Sequence, residues 1–172
     1  MLEEDIESKL KKAFEMLRKR DKILLEIDIN ERTLCHRLAI YLEQIFAGYD
    51  VDCEYNRIGS NDPKKLIFKD LKKDFKDAKL DNSAADDTVA RTVYPDIVVH
   101  KRTTEENLLI IEIKKSTNNT DRNIDINKIK KYKSQLGYKH GVFIEIEVKN
   151  KIDSDEDFYE LSFIHDNVNC IN

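Results

Sequence analysis

The sequence has few cysteines, no glycine-rich loop and no long hydrophobic run, and each shortage excludes a class of protein. The three cysteines, Cys35, Cys53 and Cys170, are far apart and odd in number. They fit neither a disulfide framework nor a zinc site, and we interpret them as small apolar residues. No glycine-rich phosphate loop and no histidine–cysteine metal spacing is present. No apolar run approaches the roughly 20 residues of a membrane span.

The length and composition are those of a single globular domain. The N-terminal stretch MLEEDIESKLKKAF has no signal-peptide pattern, which predicts a cytoplasmic protein that does not act at a membrane. The chain has 172 residues, of which 37% are charged and 40% hydrophobic. A chain of this length and composition can form one domain with a hydrophobic core and a richly charged surface. With no repeats and no linker, we predict one domain over residues 1–172.

Hydrophobic periodicity predicts an α/β domain with a mixed sheet. Helices are predicted where apolar residues recur at helical spacing, and strands where apolar runs alternate or are continuous. The predicted helices are residues 3–20, residues 31–46 behind the N-cap Asn30, residues 64–80, and residues 126–136 between the N-cap Asp125 and a C-terminal Gly137. The predicted strands are residues 51–58, 92–100, 108–115, 140–148 and 158–164.

Charged residues interrupt the apolar strand in the stretch NLLIIEIKKS, residues 107–116. Side chains alternate along a strand, so Glu112 and Lys114 share the face of Ile110. Lys114 is expected where this strand meets solvent. The preceding strand has its own charge, Asp96, directly after Pro95, and a hairpin-like turn joins the two strands. Two carboxylates and an ammonium are therefore predicted to meet at one edge of the sheet.

Such a group of charges is suited to metal-assisted hydrolysis. Magnesium prefers oxygen ligands, and a site with one or two carboxylates keeps water molecules for chemistry. The metal lowers the pKa of bound water and neutralises phosphate charge, while a lysine orients the water or stabilises the developing charge. The alternative is structural: a surface salt bridge between Glu112 and a lysine, with Asp96 as a cap at the start of its strand.

The segments YPDIVVH and LLIIEIKK together resemble the PD-(D/E)xK motif of the restriction-endonuclease-like nucleases. Pro95 and Asp96 match the PD element, and Glu112, Ile113 and Lys114 match the ExK element. The resemblance implies a restriction-endonuclease-like core over about residues 30–148. In that fold a mixed β-sheet is flanked by helices. The N-terminal helix and residues 59–92 are then elaborations.

The resemblance also implies roles for individual residues. Asp96 and Glu112 would bind Mg²⁺ or Mn²⁺, the carbonyl of Ile113 would be a further ligand, and Lys114 would position or activate the attacking water. Glu31 matches a glutamate that many members present from a preceding helix. The alternative for Glu31 is an acid in the first turn that complements the helix dipole.

The function implied by the resemblance is metal-dependent hydrolysis of phosphodiester bonds, in DNA rather than RNA, by an endonuclease or exonuclease. The alternative is a catalytically silent member of the same fold that binds nucleic acid or a protein. Because no separate recognition module is evident, a second copy or a partner subunit is expected to help choose the target.

A basic stretch could contact the phosphate backbone of such a substrate. Residues 126–140 hold five lysines and no acid, in a chain of net charge −4. The predicted nucleic-acid contacts come from this stretch and from one earlier arginine: Lys128, Lys130, Lys131, Lys133, Gln135 and Arg57. The alternative for the basic stretch is a solvated helix face.

Overall fold

The computed structural model describes residues 1–55, 57–58, 62–63, 65–68, 89–92, 94–149 and 158–165. Its helices are α1 (Glu3–Glu26), α2 (Glu31–Ile45) and α3 (Arg122–Leu136). Its strands are β1 (Asp50–Cys53), β2 (Arg57–Ile58), β3 (Asp62–Pro63), β4 (Lys65–Phe68), β5 (Val89–Thr92), β6 (Ile97–His100), β7 (Asn107–Lys115), β8 (His140–Ile146) and β9 (Tyr159–Phe163). Within the described residues, none of these helices is both long enough and apolar enough to cross a membrane.

Five strands form a mixed sheet in the order β1-β6-β7-β8-β9. β7 and β8 are parallel, whereas the other neighbouring pairs are antiparallel. A parallel pair needs a crossover connection, and α3 provides it. Two short antiparallel pairs, β2 with β3 and β4 with β5, lie outside this sheet. The predicted α/β class, with a mixed sheet flanked by helices, is confirmed.

The two faces of the sheet are covered by different helices. On one face, Ile97 and Ile111 belong to the larger apolar core, which includes the buried residues of α1 and α2. On the other face, Val98 and Ile110 pack with Ile129 of α3 in a second, smaller core. This division follows from the alternation of side chains along β6 and β7. The same alternation puts Glu112 and Lys114 on the face of Ile110, beneath α3.

α3 lies unusually close to the sheet at Gly141 of β8. A Cβ atom on Gly141 would lie 2.2 Å from Cγ2 of Ile129, closer than the two atoms can approach. The missing side chain therefore sets how deeply α3 packs on the sheet. Because Ile129 follows Lys128 directly, this contact also fixes the depth of the charged residues in the first turns of α3.

The helix ends agree with local sequence signals in two cases and differ in one. The Asn30 side chain accepts a hydrogen bond from the Thr33 amide at 2.9 Å, so the predicted N-cap of α2 is confirmed. Gly137 ends α3 with a left-handed φ of 67°, also as predicted. The prediction that Asp125 caps α3 is wrong. Asp121 caps it instead, accepting from the Asn123 amide at 2.9 Å, and Asp125 lies within the first turn of the helix.

Two other predicted helices differ from the structure. α1 continues beyond residue 20 to Glu26, with a non-helical backbone at Asp21. The Asp21 carboxylate accepts hydrogen bonds from Arg37 and Tyr41 of α2, and these bonds hold the kinked helix against its neighbour. Within the predicted helix over 64–80, Lys65–Phe68 is a strand paired with β5. A short apolar run is ambiguous between helix and strand, and pairing decides it. The rest of that segment, from residue 69, lies outside the described residues.

Candidate active site

The antiparallel register of β6 and β7 brings Asp96 opposite Glu112. Ile97 pairs with Ile111 in this register, so the next opposed positions are Asp96 and Glu112. Directly opposed side chains have Cβ atoms about 4.5–5.5 Å apart. Oδ2 of Asp96 accepts a hydrogen bond from the Ile113 amide at 2.7 Å. The amide and carbonyl of one strand residue point to the same side, so the Ile113 carbonyl also points toward the Asp96 side.

Glu112 is a buried carboxylate with one oxygen engaged and the other available. The residue is 1% exposed. Its Oε2 lies 3.1 Å from Nζ of Lys128, whereas Oε1 has no hydrogen-bond partner among the described residues. An unpaired buried polar atom costs free energy. Oε1 is therefore the atom at which this site can accept a further ligand.

Burial and neighbouring charge both act on the acids of the site. Burial raises the pKa of Glu112 well above its usual range, the charge of Asp96 raises it further, and Lys128 opposes both. Burial also raises the pKa of Asp96, against the lowering effect of the hydrogen bond from the Ile113 amide. The charged form of both carboxylates is thus disfavoured. A nearby cation would favour the charged form and lower both pKa values.

Asp125 joins the two lysines of the site. Its Oδ1 lies 3.0 Å from Nζ of Lys128, and its Oδ2 lies 2.8 Å from Nζ of Lys114. The second contact is an ion pair without hydrogen-bond geometry, because Oδ2 has no hydrogen-bond partner among the described residues. A continuous chain of charges therefore runs from Lys114 through Asp125 and Lys128 to Glu112.

Lys114 is buried, contrary to the prediction that it lies where the strand meets solvent. The residue is 8% exposed. The sequence shows that the apolar run ends at Ile113, but it does not show that α3 covers the following residue. The ammonium of Lys114 lies on the face of Glu112, as the alternation of β7 predicted, and Asp125 compensates its charge.

The role of Asp125 and the site contacts of Lys128 were missed by sequence reasoning, although helical spacing offers a signal. Asp125, Lys128, Ile129 and Tyr132 follow the spacing of one helix face. Ile129 and Tyr132 form the apolar part of that face and are fully buried. A stripe that includes two apolar residues predicts that the charged members of the same stripe also face the sheet.

Glu31 lies at the C-terminal end of β7, beside the other acids. Its Oε1 accepts hydrogen bonds from the Lys115 amide at 3.0 Å and from Nδ2 of Asn118 at 2.8 Å. These bonds tie the first turn of α2 to the end of the strand. The charge of Glu31 also contributes to the raised pKa of Asp96, although burial contributes more. The structure thus places Glu31 next to the site, with its Oε1 already accepting two hydrogen bonds.

The residues of α3 that are predicted to contact nucleic acid differ in their surroundings. Lys128 is part of the buried site, and Nζ of Lys133 donates to the carbonyl of Ile164 at 2.8 Å. Lys130 and Lys131 are half-buried, and Gln135 is exposed in the last turn of α3. The backbone of Arg57 begins β2, but its side chain lies outside the described residues.

The oxygen donors available at the site are two carboxylates and a strand carbonyl. In the part of the chain that the structure describes, no group of three or more histidine, cysteine, aspartate or glutamate side chains could hold a metal ion. Magnesium, however, is commonly bound through one or two carboxylates, with water or substrate oxygens completing its shell. Asp96, Glu112 with its unpaired Oε1, and the Ile113 carbonyl supply donors of this kind.

The charge balance of the site also favours a cation. Asp96, Glu112 and Asp125 are opposed by Lys114 and Lys128, which leaves one more acid than base when all five are ionised. Burial alone would lower the pKa of Lys128, but the charges of Glu112 and Asp125 outweigh burial and raise it. No family model, curated protein or solved structure matches the chain, so the function proposed for it depends on this geometry.

Proposed function

We propose that the protein is a metal-dependent nuclease of the PD-(D/E)xK type, with a restriction-endonuclease-like core, that hydrolyses phosphodiester bonds in DNA. The observation that carries this proposal is the position of Asp96 opposite Glu112 on adjacent strands, with Lys114 on the same face. β6 and β7 are joined by a short connection, and their register sets the position of Asp96 opposite Glu112.

Asp96, Glu112 and the Ile113 carbonyl would hold Mg²⁺ or Mn²⁺. When bound, the cation would supply Lewis-acid chemistry and make a coordinated water more acidic. The hydrogen bond from the Ile113 amide orients the Asp96 carboxylate, and the closed face beneath α3 keeps Glu112 away from bulk water. Carboxylates held in this way need little reorganisation when a ligand arrives.

Lys114 is the group that would act on the reacting atoms. Hydrolysis forms a bond between a water oxygen and phosphorus and breaks one ester bond, so the water loses a proton and the departing alcohol gains one. A charged Lys114 would orient the water oxygen and stabilise the negative charge that develops on the phosphate. The ion pair with Asp125 keeps the ammonium near the site.

A polyanion needs a favourable surface, because the whole chain has a net charge of −4. The partly exposed lysines of α3, Lys130 and Lys131, lie on the helix that covers the site. Lysine contacts to phosphates release counterions and supply affinity without sequence preference. These lysines would therefore help hold the DNA backbone beside the buried acids.

The test is cleavage of plasmid and single-stranded DNA by the pure protein, with Mg²⁺, with Mn²⁺ and with a chelator. We expect cleavage only with metal, and loss of cleavage in Asp96→Asn. The asparagine carbonyl can still accept from the Ile113 amide, so this variant should fold. Asp121→Asn is the matched control, because it removes one exposed carboxylate while asparagine remains a good N-cap. Cleavage by Asp96→Asn at the wild-type rate would contradict the proposal.

A catalytically silent binding domain is a second candidate, and the internal ion pairs favour it. Lys114, Asp125, Lys128 and Glu112 already form a continuous chain of opposite charges, as in a purely structural network. This candidate predicts salt-dependent binding of nucleic acid with no cleavage under any metal condition. The same protein preparation can decide between the two candidates if binding and cleavage are measured together.

A further inference from the structure

The ammonium of Lys128 lies between two buried carboxylates. Its Nζ is 3.1 Å from Oε2 of Glu112 and 3.0 Å from Oδ1 of Asp125. We propose that this ammonium is an internal counter-ion that competes with the divalent cation for Glu112 and moves away when the cation binds. This inference rests on the proposed function, because it concerns the same metal site.

The competition follows from the occupancy of the two Glu112 oxygens. Oε2 is engaged by Lys128, whereas Oε1 has no hydrogen-bond partner among the described residues. A cation bound at Oε1 would share one carboxylate with the ammonium. Two positive charges at that separation repel strongly inside a protein, where screening by water is weak. One of them must then retreat, and only the ammonium is on a flexible tether.

Lys128, rather than Lys114, has the route to retreat. The side chain of Lys128 is 23% exposed, compared with 10% for that of Lys114. Lys128 also lies on the helix that covers the sheet, so its long side chain can turn outward while α3 stays in place. Lys114 contacts Asp125 alone among the acids of the site, and its movement would not free either oxygen of Glu112.

The experiment is calorimetric titration of the full chain with Mn²⁺, comparing wild type, Lys128→Met and Lys139→Met. Methionine keeps most of the length of lysine but removes the charge. We expect Lys128→Met to bind Mn²⁺ more tightly than wild type by about tenfold, the scale of one close charge pair. Lys139 is exposed and lies beyond α3, so Lys139→Met removes the same charge and should leave the affinity unchanged.

A second measurement uses wild type alone, in case Lys128→Met does not fold. Lysine acetylation is followed by peptide mass spectrometry with and without Mg²⁺. Lys128 should react several times faster with Mg²⁺ present, because its ammonium has left the two carboxylates, and Lys139 should react at an unchanged rate.

The outcomes separate this inference from the function on which it rests. If neither wild type nor Lys128→Met binds Mn²⁺, the metal-dependent function is contradicted and the inference falls with it. If wild type binds Mn²⁺ but the variant binds no more tightly, the inference alone is overturned. An unchanged acetylation rate of Lys128 in metal-bound wild type would overturn it in the same way.

Discussion

Nζ of Lys114 lies 2.8 Å from Oδ2 of Asp125, and this ion pair connects the end of β7 to the first turn of α3. Both residues are buried, at 8% and 3% exposed. The lysine of the candidate catalytic motif is therefore also a structural residue. Its substitution should affect both the reaction and the stability of the fold.

Lys114→Ala should lower the rate of DNA cleavage on the order of a hundredfold or more, because a preorganised charge at the reacting atoms is removed. It should also lower the free energy of unfolding by about 3 kcal/mol, because one partner of a buried ion pair is removed. The measurements are plasmid nicking and urea unfolding on the same preparation.

The neighbouring lysine gives the matched control for Lys114. Nζ of Lys115 donates to Oδ1 of Asp28 and to the carbonyl of Ile29, both at 2.8 Å, and its backbone amide, which donates to Glu31, is kept in alanine. Lys115→Ala should therefore reduce stability but leave cleavage at the wild-type rate when both proteins are folded. Equal cleavage by Lys114→Ala and wild type would show that Lys114 is only an ion-pair partner.

The stability of the metal-free protein should depend on pH through Glu112. Burial raises the pKa of this carboxyl above its usual 4.5, so the folded state binds the proton more tightly than the unfolded state does. The protonated Glu112 carboxyl therefore contributes to the free energy of unfolding. This contribution is fully present below pH 4.5 and is lost as the pH rises through the raised pKa of Glu112 in the folded state. Glu112→Gln should remove this dependence, as measured by unfolding at several pH values with a chelator present. A wild type and a variant with parallel pH profiles would contradict the prediction.

The lysines of α3 should supply part of the affinity for nucleic acid. Substituting Lys130 and Lys131 with glutamine should weaken DNA binding. On a log–log plot of affinity against salt concentration, the slope should become shallower by about 0.9 for each phosphate that is no longer neutralised. Fluorescence anisotropy across a salt series measures this slope. Lys11→Gln/Lys22→Gln on α1 is a suitable control, because both lysines form exposed i,i+4 pairs there. An unchanged slope in the α3 variant would mean that this face is only solvated.

Gly141→Ala should displace α3 and disturb the site although no charged residue is replaced; the new Cβ would also lie 3.2 Å from Cδ of Lys133. The new methyl group would meet Cγ2 of Ile129, at a cost of about 1–3 kcal/mol for overpacking. The displacement should also weaken Mn²⁺ binding, since the depth of Lys128 and Asp125 would change. Ile129→Ala removes the obstructing atom, so the double variant should recover part of the affinity. A weakened affinity that the second substitution leaves unchanged would argue against a packing effect.

The part of the site that depends on one pair of strands could be predicted from the sequence. Alternation along β7 places Glu112 and Lys114 on one face, and a short hairpin connection places Asp96 on the neighbouring strand. These relationships follow from local geometry and from connections of a few residues. The structure agrees with them in its register and in its burial pattern.

The contribution of α3 could not be predicted in the same way. Asp121 and Asp125 are both acids placed to begin a helix, and local capping rules do not choose between them. The choice depends on burial, because Asp125 meets Lys114 when α3 packs on β7. The same packing turns Lys114 from an expected surface residue into a buried one.

The parallel pairing of β7 with β8 has a consequence for folding on the ribosome. α3 carries Asp125 and Lys128 and precedes β8 in the chain, but it packs against β8 at Gly141. A nascent chain that has not yet released β8 therefore lacks the contact between Gly141 and Ile129 that sets the depth of Asp125 and Lys128. α3 can therefore take its final position on the sheet only after β8 has been synthesised.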